Sequence, residues 1–325
     1  MISLSTREHG LWEGKDEKLE INKRENEIAE TDKRKFEIVI GDNNLLPINF
    51  LKRGVEKSKS VALIKFPNNA SGTGFLVSKD LLLTNHHVFP EAQQAEEAEI
   101  IFNFESDIYG NPEPADIYVC NPTDFFWSNE NLDYALVKVN KRSNLNDVEN
   151  VDYITKQLLP GERWGFIPLV SQTTIEINQR VNIIQHPEGR MKEIALHDNR
   201  ITDINPERII VKYTTDSEPG SSGSPGFTDE WKLVFLHHSA GDEDENGIFV
   251  NNEGILIPVI VNDLIKSLTD EKGKQILFEL GIAGVKEYFT VPSLIPGSPE
   301  INRAEINRAE INNNFNYEFR LLIND

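Results

Sequence analysis

Three short stretches of this chain carry side chains suited to nucleophilic catalysis. In PGSSGSPGF, residues 219–227, Gly220 and Gly223 flank Ser221 and Ser222. Glycines on both sides let the backbone present a hydroxyl and leave room for a substrate beside it. Backbone N–H groups of such a turn can converge on one spot, as acyl transfer requires for a developing oxyanion. A serine hydroxyl alone is a poor nucleophile; it needs a base, and the base needs an orienting carboxylate. TNHHVF, residues 84–89, offers His86 and His87, and NLDYALVKV, residues 131–139, sets Asp133 at the mouth of a strand-like run. Asp124 and Asp152 are nearby acids, but neither opens a comparable run.

Gly-Ser composition also suits a linker. The segment is followed at once by KLVFLHH and GILIPV, which read as core strands. It is therefore a tight turn inside a β domain. Two groups of short apolar runs with Gly, Pro and Asn between them surround the candidate residues. VALIKF, GTGFLVS, LLLTN, EIIFNF, IYVC and YALVKV form the first; RVNIIQH, KEIAL, RIIVKY, KLVFLHH and GILIPV form the second. The pattern predicts an all-β protein with two barrels. Ahead of them, Pro47 sits near a predicted short helix with Leu51 and Val55 one turn apart. After them, VNDLIKSLTDEKGKQILFEL has helical spacing, with Asn262 or Asp263 as a cap.

The three blocks, TGFLVS…LLTNHHVF, LDYALVKV and GSSGSPGF, resemble the trypsin/chymotrypsin-type serine peptidase family. They are closest to its disulfide-free bacterial branch, which includes the glutamyl endopeptidases, and they cover about residues 58–265. The resemblance implies two six-stranded antiparallel β-barrels with the site in the cleft between them. It makes His87 the base, Asp133 its orienting acid and Ser222 the nucleophile, with Gly220 and Ser222 supplying the oxyanion N–H groups. Adjacent strand side chains diverge, so His86 is expected to face away from the cleft. Ser221 stands where trypsin-like zymogens carry an activating Asp, so that activation route is not expected.

Two residues disagree about specificity. Asp216, six residues before Ser222, holds the place where an Asp at the pocket base selects Arg or Lys. His237, fifteen residues after Ser222, holds the place where glutamyl endopeptidases use a His on acidic side chains. Both are expected to line one pocket, and they could pair there. From Asp80 to Val137 there are 12 acidic residues and no Lys or Arg, and GDEDENG adds four acids. A cleft rimmed by these loops would steer cationic peptides inward, which favours Arg or Lys before the scissile bond.

The chain has 325 residues, 38% of them apolar, with 53 acidic against 33 basic side chains and a net charge of −20. That balance excludes nucleic acid and anionic membranes as partners and suits a cationic peptide or protein substrate. Cys120 is alone and reads as a small buried apolar residue. With no apolar signal core and no spanning run, the expectation is a soluble cytoplasmic protein. No cofactor and no metal are expected: His9, His186 and His197 lack partners and read as surface or internally satisfied, and the pairs His86–His87 and His237–His238 should diverge along strands. The domain plan is a charged arm over 1–45, a protease domain over 46–268 with barrels at about 58–140 and 165–260, and a C-terminal extension over 269–325. The repeat EINRAEINRAEIN, residues 300–312, reads as a surface tail. A serine endopeptidase is the leading expectation, with a regulated bacterial stress or defence effector as a refinement. A catalytically silent relative that only binds a partner is the other class, and the terminal segments are where a regulatory protein would engage.

Overall fold

The structure is a computed structural model that describes residues 45–140, 158–169, 174–197 and 199–282. The charged arm, Asp152 and the EINRA repeat lie outside the described residues. The chain divides into two units, Met1–Ile48 and Asn49–Asp325.

Fourteen strands are described, in two seven-stranded antiparallel sheets. The first holds β1 (Val61–Lys65), β2 (Ser71–Leu76), β3 (Leu81–Thr84), β4 (Glu99–Phe102), β5 (Asp116–Val119), β6 (Phe126–Asn129) and β7 (Tyr134–Lys138), in spatial order β5-β4-β1-β2-β3-β7-β6. The second holds β8 (Asn182–Gln185), β9 (Glu193–Ala195), β10 (Ile201–Ile204), β11 (Ile210–Tyr213), β12 (Pro225–Phe227), β13 (Leu233–Ala240) and β14 (Asn252–Leu256), in order β10-β11-β14-β13-β12-β8-β9. Six strands were expected in each, and the difference has a simple form. A bridge between Cys120 and Val139 joins the chain just past β5 to the chain just past β7. It closes six strands and leaves β6 as an outer hairpin arm. In the second sheet a bridge between Arg180 and Arg200 does the same and leaves β9 outside.

Both faces of most strands are apolar, because each barrel packs inside and outside. Ala62, Ile64, Leu76, Leu82, Ala135 and Val137 fill the first barrel. Their neighbours Val61, Leu81, Leu83, Tyr134 and Leu136 point to the other face, into a cluster shared with Leu233, Leu236 and Ile255 of the second barrel. Alternation across the pleat puts successive side chains into different cores. Cys120 is buried, as expected, and burial pushes its thiol pKa up.

Helices complete the shared cluster. In α1 (Asn49–Ser58) the buried residues are Phe50 and Gly54, while Leu51 and Val55 are exposed. Trp231 decides this: its ring lies 5.0 Å from that of Phe50, and a Cβ on Gly54 would fall 2.5 Å from it. Two short helices follow, α2 (Ala92–Glu97) and α3 (Pro160–Trp164). The helix α4 (Ile257–Ser267) buries Ile257, Ile260, Val261 and Leu264, an i, i+3, i+4, i+7 stripe. GILIPV therefore changes from strand to helix at Ile257, and Asn262 and Asp263 lie inside the helix rather than capping it. Asp263 instead accepts hydrogen bonds from Tyr134 Oη (2.5 Å) and Asn129 Nδ2 (2.8 Å). Residues read as the start of a C-terminal extension form α5 (Glu271–Glu279), whose Ile276 and Leu277 join the same core.

Candidate active site

His87 and Asp133 meet at two points. The His87 backbone N–H donates to Asp133 Oδ1 (2.9 Å), and the ring Nδ1 lies 2.8 Å from Oδ2. With Nδ1 protonated towards the carboxylate, Nε2 is left as an acceptor. His86 and His87 lie in a turn just after β3 rather than on the strand itself. They diverge nonetheless: His86 Nδ1 bonds Ser128 Oγ of β6 (2.7 Å), away from Asp133. Asp133 immediately precedes β7 and adopts φ 42°, a left-handed conformation uncommon outside glycine and often found at functional positions. Asn85 Nδ2 donates to its carbonyl (2.9 Å), and Tyr134 next to it is tied to Asp263 of α4. Asp124 is exposed and makes no contact with a histidine among the described residues.

The serine turn docks on the first barrel. Thr73 of β2 donates its backbone N–H to the Ser222 carbonyl (2.8 Å) and its hydroxyl to the Gly220 carbonyl (2.8 Å). Gly220 and Gly223 have φ 97° and 89°, and a Cβ on Gly223 would lie 2.0 Å from the Thr73 carbonyl oxygen. Neither position tolerates a side chain. Within the turn, Ser221 N–H donates to Glu218 O (3.0 Å) and Gly223 N–H to His237 O (3.1 Å). The N–H groups of Gly220 and Ser222 have no acceptor among the described residues. Gly72 of β2 adjoins both turns. A Cβ there would stand 2.9 Å from Val88 Cγ1, beside His87, and 3.7 Å from Ser222 O. No hydrogen bond joins the Ser222 hydroxyl to His87 in this structure.

Asp216, His237 and Ser222 line one cavity of about 530 Å³, with Glu218, Phe249 and Asn252 among the other walls. Asp216 is exposed, so it is not the desolvated carboxylate of a pocket floor. It does not pair with His237. That ring is buried, and its Nδ1 lies 2.6 Å from Tyr213 Oη. Burial, then the proximity of His238 and His87, brings the His237 pKa down to about 3, so it is neutral at pH 7. Part of the acidic rim is compensated: Glu218 pairs with Arg190, Asp242 with Lys212 and Glu105 with Lys192.

Three features were not drawn from the sequence. Thr73, the clamp of the serine turn, stands in GTG between two small residues, a context that signals close backbone approach. His186 is fully buried, with Nδ1 2.9 Å from Arg190 O, and burial brings its pKa down to about 3. His238 reaches Asp133: its Nδ1 lies 2.5 Å from Oδ2. The β13–β14 register shifts between His237 and Ser239, and such a bulge re-aims side chains. His87, Asp133 and His238 form a group whose ligand atoms lie within 4.8 Å of one another; the members of each adjacent pair diverge as expected, and the group takes one histidine from each pair.

Burial alone would push the Asp133 carboxyl up. Hydrogen bonds from His238 and His87 outweigh it and bring the pKa down to about 2. The result is a carboxylate ionised throughout the neutral range, touching an imidazole beside a glycine-framed serine.

The trypsin-like peptidase domain model matches residues 72–234, half of the chain. The chain belongs to the trypsin-like peptidase family. It carries a serine peptidase domain, as the three sequence blocks led one to expect. A protein of Sinorhizobium fredii (strain NBRC 101917 / NGR234) described as uncharacterized protein y4fB is 35% identical over 217 residues, 63% of this chain. Those residues span 31% of that protein's length. Among solved structures, a serine endoprotease from Yersinia pestis is similar at 15% identity and TM-score 0.45, covering 68% of this chain and 67% of its own. A glutamyl endopeptidase is similar at 18% identity and TM-score 0.44, covering 70% and 98%. No described helix of the peptidase domain is long and apolar enough to cross a membrane.

Proposed function

We propose that the protein is a serine endopeptidase in which Ser222 is the nucleophile, His87 the general base and Asp133 the acid that orients it. The two-point contact between Asp133 and His87 carries this reading. It fixes ring orientation and tautomer together, leaving Nε2 to take the Ser222 proton and later return it to the leaving amine. As the Ser222 Oγ–carbonyl bond forms, the carbonyl oxygen gains charge, and the unengaged N–H groups of Gly220 and Ser222 are the donors available to hold it. The Ser222–His87 hydrogen bond forms with substrate in place, since catalytic contacts are commonly loose in free enzymes.

The cavity favours Arg or Lys before the scissile bond. Its charged lining is acidic: Glu218 is paired with Arg190, but Asp216 makes no ion pair among the described residues, and neutral His237 does not offset it. A rival preference for Glu or Asp would need His237 to offer a proton to the substrate. The Tyr213 hydroxyl donates its one proton to the Glu253 carbonyl (3.0 Å), so the Tyr213–His237 bond runs from His237 Nδ1–H and leaves the other ring nitrogen an acceptor, which counts against that preference. A fluorophosphonate probe with intact protein and the Ser222→Ala variant tests the nucleophile; labelling that persists in the variant rejects it. Fluorogenic peptides differing only before the scissile bond test specificity. Faster cleavage after Glu or Asp than after Arg or Lys replaces the first preference with the second. A cytoplasmic setting and control by a protein partner in stress or defence complete the proposal. They rest on the single cysteine, which suits a reducing compartment, and on family analogy, and loss of activity control on deletion of residues 283–325 or 1–44 would support a regulatory role for those segments.

A further inference from the structure

Asp133 serves two histidines. Its Oδ2 accepts from His87 Nδ1 at 2.8 Å and from His238 Nδ1 at 2.5 Å, while Oδ1 accepts the His87 backbone N–H at 2.9 Å. His87 comes from the first barrel and His238 from the bulge of β13 in the second. The two rings are 6.2 Å apart, centroid to centroid, in an edge-on arrangement on either side of the shared carboxylate oxygen. Their side chains are 46% and 30% exposed, so both can exchange protons with solvent.

We propose that His238 is a positioning residue of the catalytic unit, clamping the Asp133 carboxylate from the second barrel and acting on His87 through it. The proposal rests on the assignment of His87 and Asp133 made above. While His238 is neutral, its Nδ1–H fixes Oδ2 at the point where His87 Nδ1–H must find it. When His238 gains a proton, the pair His238–Asp133 becomes formally neutral. The carboxylate charge that would stabilise the His87 imidazolium is then offset, and proton uptake from Ser222 loses its counter-charge. Holding and charge therefore act in opposite directions as pH falls.

The groups facing His238 set where this happens. Asp133 and His87 face it from the first barrel, His237 precedes it on β13, and Glu253 lies on the adjoining β14, paired with Lys212. The hydrogen bond to Asp133 raises the His238 pKa from its ordinary value, against an opposing effect of burial, with the charges of Asp133 and Glu253 adding to the rise. Protonation of His238 thus sets in at a higher pH than that of an ordinary histidine.

The test uses full-length protein and three variants, His238→Ala, His238→Asn and Ser222→Ala. Asn places an N–H where His Nδ1 stands and cannot be charged. Ala should lower kcat by roughly tenfold to a hundredfold, the scale of one hydrogen bond to a charged group, with KM changed by less than about threefold. Asn should recover most of that loss at neutral pH. On the acid side, log(kcat/KM) of the intact enzyme should approach a slope of two with pH, and that of His238→Asn a slope of one. An unchanged kcat in His238→Ala, or a two-proton limb that survives in His238→Asn, overturns the proposal. Proton NMR in the Ser222→Ala background needs no turnover: removing His238 there should speed exchange of the His87 Nδ1 proton with water. Unchanged exchange also overturns the proposal. Faster exchange there, with no fluorophosphonate labelling of the protein that retains Ser222, would instead reject the catalytic assignment while leaving the clamp intact.

Discussion

The two adjacent histidine pairs, His86–His87 and His237–His238, lie one in each barrel and divide their duties in the same way. In each pair the first ring is held by a neighbouring hydroxyl, His86 by Ser128 and His237 by Tyr213. The second ring of each reaches Asp133. The backbones differ. His86 and His87 sit on a turn beyond β3, open to solvent, whereas His237 and His238 sit on a bulged strand with the first ring sealed in the second barrel. Burial is therefore what separates the members of the second pair electrostatically: His237 is driven towards the neutral form, while His238, half-buried beside a carboxylate, is drawn towards the charged one. Identical side chains one residue apart thus titrate in opposite directions because one faces a core and the other a cleft.

The largest effect separates the members of the first pair. His87→Ala should reduce kcat/KM on the order of 10⁴-fold, as Ser222→Ala should, because the members of a catalytic unit fail together. His86→Ala should leave turnover within about tenfold and lower stability by about 1 kcal/mol through the lost bond to Ser128. Peptide-cleavage kinetics and chemical denaturation of the three variants read both. A dispensable His87 beside an essential His86 reverses the assignment.

Next comes the cavity behind the second pair. Asp216→Ser should depress cleavage after Arg and Lys by roughly tenfold, modest for a charge contact because Asp216 is exposed. Cleavage after other residues should change little. A uniform loss across a peptide panel would mean that Asp216 supports the serine turn rather than selecting substrate.

Smaller still is the pH dependence of stability. His237 and His186 have native pKa values brought down to about 3 by burial, below the ordinary 6.5. Between those limits the unfolded chain binds more protons than the native one, so stability falls as pH drops from about 6.5 towards 3. Each such group contributes at most about 1.4 kcal/mol per pH unit. Asp133 adds a loss only further down, as pH falls from its ordinary value of 3.8 through about 2. His238 acts oppositely: its raised pKa gives a contribution fully present below 6.5 and lost as pH rises through its native value. Denaturant midpoints for intact protein and His237→Phe between pH 7 and 5 should converge or cross, the variant being less acid-sensitive. Parallel curves would show that His237 takes a proton in the native state.

Much of this was legible in one sequence. The six named runs of the first group are all strands of the first sheet, because β-branched and aromatic residues between turn signals leave few alternatives. Missed were β6, written FWSN, and two strands of the second sheet: β10, ITDI, whose alternation is weak, and β12, PGF, which begins with proline and looks like part of the turn before it. The face of α1 was misjudged for a different reason. Leu51 and Val55 have the right spacing, but Trp231 lies some 180 residues away and packs against Phe50 and Gly54 instead.

Local chemistry by itself marked the serine between glycines, the histidine turn and the aspartate at a strand mouth, since each depends on a few consecutive residues. Their order and strand background were enough to fix family and barrel architecture. Only the tertiary structure decided which groups share the Asp133 carboxylate, that His237 pairs with Tyr213 rather than Asp216, that Asp216 is exposed, and that Thr73 pins the serine turn. The clamp on Asp133 and the pinning of the serine turn join residues 105 and 147 apart in sequence, and the His237–Tyr213 pair joins two strands that are not neighbours in the chain. Sequence periodicity gives the direction of a side chain relative to its own strand, and carries no record of what stands opposite it.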